Sequence, residues 1–334
     1  MTERADTLQD LAIDLSMGTA QLPGRDVLDR ATLRALNIRS DWRGTLRFLS
    51  HCLTILVTGG LVHALRGELV LLVPAMVLHG FAMVTLFAPM HECVHMTAFR
   101  SRWLNRVIGW IAGAVSFYNS DYYRYYHHWH HRFTQDPAHD PELMRPKPRT
   151  VAAYCLRLSG LLFWRDKLQD MYVVSAGRLA HLPFVPESAR HKLVWSMRAQ
   201  GGLYVLIAVG ATWLGSAAPL LYWLIPALLG QPLLRAILLA EHTGCSANTN
   251  GLTNTRTTLT SWPIRFLMWN MPYHAEHHLY PSIPFHALPQ VHGQIRARLA
   301  HLDTGYIAVN RAIVHRLAGC DRSIPKPYAA SCSC

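Results

Sequence analysis

The sequence predicts an all-α integral membrane protein, with four transmembrane helices in two hairpins and a cytoplasmic helical cap that carries clustered histidines. Three observations predict it. The 334 residues are 51% hydrophobic and only 16% charged, against about 25% charged residues in average soluble chains. The apolar residues collect in long uncharged runs. Histidine is abundant, at 20 residues, and most of these gather in short segments at the ends of the runs or between them.

Residues 1–44 form a polar arm, in which Thr7–Met17 fits a short amphipathic helix. No apolar core of signal-peptide type is expected there. The first span covers residues 45–65, with Arg47 and His51 near its start, where both can snorkel. Arg66-Gly67-Glu68 is a tight polar break. Leu69 to Met90 then runs 22 residues without a formal charge. At about 1.5 Å per residue this reaches about 33 Å, enough for a bilayer core of about 30 Å. The two runs form the first hairpin. Arg100, Arg102 and Arg106 follow it, and cationic loops of this kind stay on the cytoplasmic side.

Trp103–Tyr118 is apolar but only 16 residues long, too short for a comfortable span, so it is re-entrant or interfacial. Asp121 can cap the next helix, and Asp136-Pro137 can end it. Residues 138–198 are polar and basic, with amphipathic patterning between Val151 and Val174, and read as cytoplasmic. Residues 201–218 and 219–240 form the second hairpin around the uncharged turn Gly215–Pro219. The membrane domain is then 45–294, with an interfacial apolar patch at Trp262–Trp269, and 295–334 is a cytoplasmic tail. Both termini and the histidine clusters are expected on the cytoplasmic face.

The formal net charge of +12 suits loops that face anionic lipid or an acidic partner protein. No compact basic module is present, and nucleic-acid binding is not expected. Of seven cysteines only Cys332 and Cys334 are closely spaced. The thiols read as mostly free, in a reducing compartment.

The chemistry sits in the histidines. His91 and His95 are spaced i, i+4. His127, His130 and His131 are spaced i, i+3, i+4, and His274, His277 and His278 repeat that spacing. Each set shares one helical face. His242 follows Glu241 at the end of the fourth run. Neutral imidazole is a common ligand for transition metals. Nine ligands are too many for one tetrahedral zinc, and suffice for two metals with four or five imidazoles each. His128 is a possible substitute ligand within its cluster. Glu92, Asp140, Glu241 and Glu276 adjoin these histidines and could accept their outer N–H groups. Asn270 and Asn248 could bond a metal-bound water. Arg235, inside an apolar run, either snorkels, the favoured reading, or receives a substrate carboxylate. His51, His63 and His79 read as packing or snorkelling groups, and His139, His181, His191, His286, His292, His301 and His315 as surface groups.

Together these residues resemble the membrane-bound fatty acid desaturase superfamily. The matching text is His91-Glu-Cys-Val-His95, His127-His-Trp-His-His131-Arg-Phe-Thr-Gln-Asp-Pro137 and Asn270-Met-Pro-Tyr-His274-Ala-Glu-His-His278-Leu-Tyr-Pro281, with Glu241-His242 in the place of an additional ligand. The resemblance covers about residues 45–290. It implies two iron ions in a non-haem di-iron centre, O2 as oxidant, a lipid or fatty acyl substrate and two electrons. The sequence carries no cytochrome-b5-like His-Pro-Gly-Gly or flavin-binding Gly-x-Gly-x-x-Gly segment, so a separate carrier, such as a ferredoxin, is the expected donor. Hydrogen abstraction from a methylene leads to an alkene, as in a desaturase. A hydroxylase or ketolase, and an oxidative decarboxylase forming a terminal alkene, would use the same ligands. From other classes, a membrane zinc hydrolase would need only three or four of them. A metal transporter ranks last, because its ligands belong near mid-membrane.

Overall fold

The computed structural model describes residues 24–145 and 147–319; Thr7–Met17, Cys320, Cys332 and Cys334 lie outside the described residues. The helices are α1 (Arg30–Leu36), α2 (Asp41–Ala64), α3 (Leu69–Val84), α4 (Phe87–Val94), α5 (Arg102–Val115), α6 (Ser120–Phe133), α7 (Val151–Leu158), α8 (Leu161–Ser175), α9 (Glu187–Trp213), α10 (Ile225–His242), α11 (Trp262–Leu267), α12 (His274–Leu279), α13 (Leu288–Ile295) and α14 (Tyr306–Leu317). Two short strands, β1 (Thr257–Leu259) and β2 (Leu302–Thr304), pair in parallel with Thr257 opposite Leu302.

Four helices are long and apolar enough to cross a membrane: Asp41–Ala64, Leu69–Val94, Glu187–Trp213 and Leu220–His242. Their number and order match the sequence expectation, but several boundaries move. The first span starts at Asp41 rather than 45, and the third ends at Trp213 rather than 218. The second extends past Met90 through α4 and takes His91 into helix. The third starts at Glu187 rather than 201. Its polar first half grips α6: Ser196 Oγ donates to Asp121 at 2.6 Å, and Asn119 Nδ2 donates to Gln200 Oε1 at 2.9 Å. Hydropathy registers only the later, lipid-type stretch. The 14 residues of α5 reach about 21 Å, short of a bilayer core, and α5 is not among the four.

The closest crossing joins α3 to α10. A Cβ on Gly80 would lie 1.7 Å from the Pro226 carbonyl oxygen, and one on Gly230 2.3 Å from the Gly80 carbonyl carbon. The two backbones therefore touch. Buried polar clips tie the first span to the second, and the second to the start of the fourth. His51 Nε2 meets the Ala82 carbonyl at 2.8 Å, and His79 meets Thr58 Oγ1 at 2.9 Å and the Tyr222 carbonyl at 3.0 Å. Both histidines pack rather than snorkel. Arg47 also turns inward, donating to the Arg265 carbonyl at 3.1 Å and lying 4.4 Å over the Phe266 ring.

Asn119, not Asp121, caps α6; its side chain accepts from Tyr122 N at 2.9 Å. The helix ends three residues before Asp136, because Thr134 bonds back to the His130 carbonyl at 2.7 Å and Gln135 takes φ 67. Two segments expected outside the membrane domain join its core. Leu36 of α1 packs with Tyr280 and Leu288. On α14, Asn310 Nδ2 donates to the Ala236 carbonyl of α10 at 3.0 Å, and its Oδ1 accepts from Tyr154 at 2.6 Å.

Candidate metal centre

Four segments deliver the nine histidines. α4 carries His91 and is capped at its C-terminus by His95, α6 carries His127, His130 and His131, α10 ends at His242, and α12 carries His274, His277 and His278. The last segment must fold back to reach the others. Trp269 and Asn270 make that turn with φ 48 and 59. Trp269 is fully buried, packs 4.6 Å from the Phe285 ring and donates Nε1–H to His51 Nδ1 at 3.3 Å. The expected interfacial patch is thus divided: Trp262 is exposed, whereas Trp269 is a core anchor.

The nine side chains meet as two groups. His131 Nε2 lies 2.9 Å from His127 Nε2 and 3.1 Å from His277 Nε2. With His91 and His95 these make five imidazoles whose ligand atoms all lie within 4.8 Å of one another. His130, His242 and His278 form the second group by the same measure. His274 joins it, with Nε2 at 3.2 Å from His242 Nε2 and 3.1 Å from His278 Nε2. Stacking of His131 on His278, with ring centroids 4.1 Å apart, links the two groups.

These contacts fit metal ions. Ligands about 2.1 Å from a shared ion and separated by 2.9–3.2 Å subtend roughly 90–100° at it. The buried Nε2 atoms of His91 and His95 have no hydrogen-bond partner. Burial, then repulsion among neighbouring imidazoles, pushes His95, His127, His131, His274 and His278 well below the ordinary histidine range, and His277 down to about 3. Neutral imidazole is the ligating form. His130 differs. Burial opposes its charge, but the Asp140 and Glu142 carboxylates outweigh that and raise it to about 9.

The outer nitrogens are held by mixed partners. Asp140 Oδ1 accepts from His130 Nδ1 at 2.9 Å. His127 Nδ1 meets Tyr123 Oη at 3.2 Å, His278 Nδ1 meets Thr134 Oγ1 at 3.2 Å, and His242 Nδ1 meets the Asn254 carbonyl at 3.3 Å. The other carboxylates differ from expectation. Glu92 is 4.0 Å from His91 Nδ1, beyond a hydrogen bond, and accepts instead from Thr97 Oγ1 at 2.8 Å and Phe285 N at 3.1 Å. Glu276 binds Thr257 Oγ1 and, at 2.5 Å, His292 Nδ1, tying α12 to β1 and α13. His292 is therefore a structural partner and not a free surface group. Glu241 Oε2 lies 3.5 Å from His274 Nε2, the inner nitrogen. Asn270 donates to the Phe285 carbonyl at 3.0 Å, and Asn248 accepts from Asn250 N at 3.0 Å; both serve turns. His128 lies outside both groups, with Nδ1 2.6 Å from the Arg124 carbonyl.

A cavity of about 370 Å³ opens beside the histidines. His91, His127 and His274 line it with Phe87, Tyr118, Tyr123, Phe163, Lys167, Glu142 and Glu241. Arg235 lines it too. Its Nη2 donates to Tyr118 Oη at 2.7 Å and its guanidinium lies 4.8 Å over Phe163, so it turns to the cavity instead of snorkelling. Sequence reasoning took Asp136–Glu142 as part of the family resemblance but gave Glu142 no place at the site, and it missed the aromatic wall. Glu142 stood in view, two residues after Asp140; Tyr118 and Phe163 carry no local signal.

The family described as fatty acid desaturase matches residues 68–310, more than half of the chain. The chain belongs to the fatty acid desaturase family. The match begins after the first span and continues into α14, shifted from the 45–290 of the sequence resemblance. No curated protein matches the chain. Family membership makes the protein an oxidoreductase of lipid acyl chains, and the family's typical dependence on iron agrees with the buried histidine groups.

Proposed function

We propose that this fatty acid desaturase relative carries out O2-dependent oxidation of an unactivated C–H bond in a lipid acyl chain, with desaturation as its reaction. The observation that carries this reading is the convergence of nine histidines, as five and four, against a cavity bounded by membrane-spanning helices. Two iron ions, held by His91, His95, His127, His131 and His277 and by His130, His242, His274 and His278, would supply O2 activation and an oxidising power that no side chain here possesses. The chain's own residues position. Asp140, Tyr123, Thr134 and the Asn254 carbonyl fix ring orientation by holding outer nitrogens. Phe87, Tyr118 and Phe163 shape the wall against which a chain lies. Which carbon is oxidised depends on placement at the scale of about an ångström.

In this reading the spans form two hairpins, with both termini and the histidine face cytoplasmic. Electrons arrive from a separate carrier, such as a ferredoxin, drawn to the basic surface. Electron transfer insensitive to ionic strength and to removal of surface Lys and Arg would defeat that docking.

A second reading has its own support. Arg235 lines the cavity, and its Nε is buried without a partner. A free-acid substrate held there would suit oxidative decarboxylation to a terminal alkene. Expression in a host followed by lipid mass spectrometry separates the outcomes, with His277→Ala as control. Desaturation removes two hydrogens, hydroxylation adds an oxygen, and decarboxylation removes CO2. Unchanged product from His277→Ala would refute the site assignment.

A further inference from the structure

The two ends of the cavity differ in charge. Glu142 and Glu241 lie at the histidine end, with oxygens 3.9 Å from His130 Nε2 and 3.5 Å from His274 Nε2. Cations meet at the end marked by Tyr118 and Phe163. Arg235 Nη2 donates to Tyr118 Oη at 2.7 Å, and its guanidinium lies 4.8 Å over the Phe163 ring. Lys167 Nζ stands 4.8 Å from the centre of the Tyr118 ring. Lys167 is paired with Asp170 at 3.2 Å, and Arg145 of the same lining is paired with Asp166. Arg235 differs: its hydrogen bond goes to a neutral phenol, and its Nε is buried without a partner. It lies within the fourth span, Leu220–His242, where an unmatched charge is expensive.

Unpaired polar groups continue behind it. One helical turn earlier on the same face, Gln231 is fully buried, and both of its amide atoms lack partners. Trp164 Nε1 is also buried and unpaired. Gly160 packs against both: a Cβ there would lie 3.0 Å from Gln231 Cγ and 3.9 Å from Trp164 Nε1. Buried groups of this kind are ordinarily hydrogen-bonded. An alkyl tail at this end would leave every one of them unpaired, whereas an anionic head supplies acceptors to those that face the cavity. Tyr118 adds a donor, since its oxygen accepts from Arg235 and its own hydrogen remains to be given.

We propose that Arg235 and Tyr118 form the receptor for the carboxylate of a free-acid substrate, whose chain runs from there toward the histidines. The guanidinium offers parallel N–H groups that match a carboxylate, and Lys167 adds positive charge beside it. Glu142 and Glu241 disfavour the same head at the histidine end, so the acid is oriented one way round. An ester- or thioester-bound chain has no carboxylate to offer. The cavity of about 370 Å³ is near the small end of ligand sites and suits a chain with a compact head. The inference rests on the cavity being the substrate site of the proposed oxidation. It names the substrate class, not the product.

The test uses the full-length protein, purified with its metals and placed in phosphatidylcholine nanodiscs at mildly alkaline pH. Binding of dodecanoate and of methyl dodecanoate is read against empty nanodiscs. The wild type should bind the acid at least about tenfold more tightly than the ester, as a charge-assisted hydrogen bond requires. Arg235→Gln should bring the two within about twofold, with ester affinity retained as the sign of an intact cavity. Arg178→Gln, at an exposed position, should leave the preference unchanged. Equal affinities in the wild type, or a preference that survives Arg235→Gln, would overturn the proposal. So would an equal fall in Arg178→Gln, which would make it an effect of surface charge. If Arg235→Gln binds neither ligand, Tyr118→Phe decides: a reduced preference with ester binding retained supports the receptor, and any other result overturns it. Lipid mass spectrometry in parallel separates the two claims. Oxidised product without acid preference overturns this inference alone, whereas acid preference without oxidised product upholds the receptor and counts against the proposed function.

Discussion

Gly80→Ala is the sharpest probe of how the fold holds the site. The new Cβ would lie 1.7 Å from the Pro226 carbonyl oxygen and 2.4 Å from its carbon. Both are backbone atoms and cannot rotate away. Restoring a normal contact requires α3 and α10 to part by roughly 1.5 Å. Overpacking of this kind costs about 1–3 kcal/mol where side chains can yield; against two backbones the upper end is the minimum expected. At about 2 °C per kcal/mol for a chain of this size, the unfolding temperature in detergent should fall by at least about 5 °C. The displacement also reaches the metal centre. α3 leads through α4 to His91, and α10 ends at His242, whose Nε2 is 3.2 Å from both His130 and His274. Metal ligands tolerate errors of about 0.2 Å, so iron at the four-histidine group should be lost first. Gly60→Ala is the control, because nothing lies within 4 Å of that Cβ. If Gly80→Ala unfolds at the wild-type temperature with full iron content, the packing argument is wrong.

Three other outcomes follow from the same geometry. Trp269→Phe removes the donor to His51 Nδ1 and should cost about 1–3 kcal/mol in chemical denaturation; a variant as stable as wild type would show that the anchor does not matter. Asp140→Asn weakens the hold on His130 Nδ1 and should lower metal affinity about 10–100-fold, while Asp136→Asn, whose partner is the exposed His139, should not; equal affinities in the two variants would contradict this. Burial and then Arg43 hold His286 down to about 4, below the roughly 6.5 of an unfolded chain. The folded state therefore binds fewer protons between those values, and stability is full above pH 6.5 and declines as pH falls toward 4. His286→Asn should flatten that decline, and identical slopes of unfolding temperature against pH would count against it.

Much of this was legible because helical periodicity and bilayer thickness act locally. The i, i+3, i+4 spacing of His127, His130 and His131, and of His274, His277 and His278, already placed each set on one face. Leu69–Met90 announced a span by lacking charge. The polar half of α9 was not legible as part of a span, since Asp121 and Asn119, some 75 and 81 residues earlier, supply its partners. Nor could spacing show which carboxylate faces which edge of a histidine. Glu92 and Glu276 sit beside clustered histidines in sequence but turn to Thr97, Phe285, Thr257 and His292, whereas Asp140, ten residues after His130, bonds its Nδ1. Such choices are made by tertiary packing. Arg235 and Trp269 make the same point: each reads as an interfacial residue, and each is turned inward by partners distant in sequence, Tyr118 and His51.

The central claim is that five and four histidines hold two iron ions. Metal analysis of the purified, full-length protein tests it most directly. Two irons per chain, reduced in His277→Ala, is the predicted result. One zinc and no iron would contradict the account and favour a hydrolytic centre.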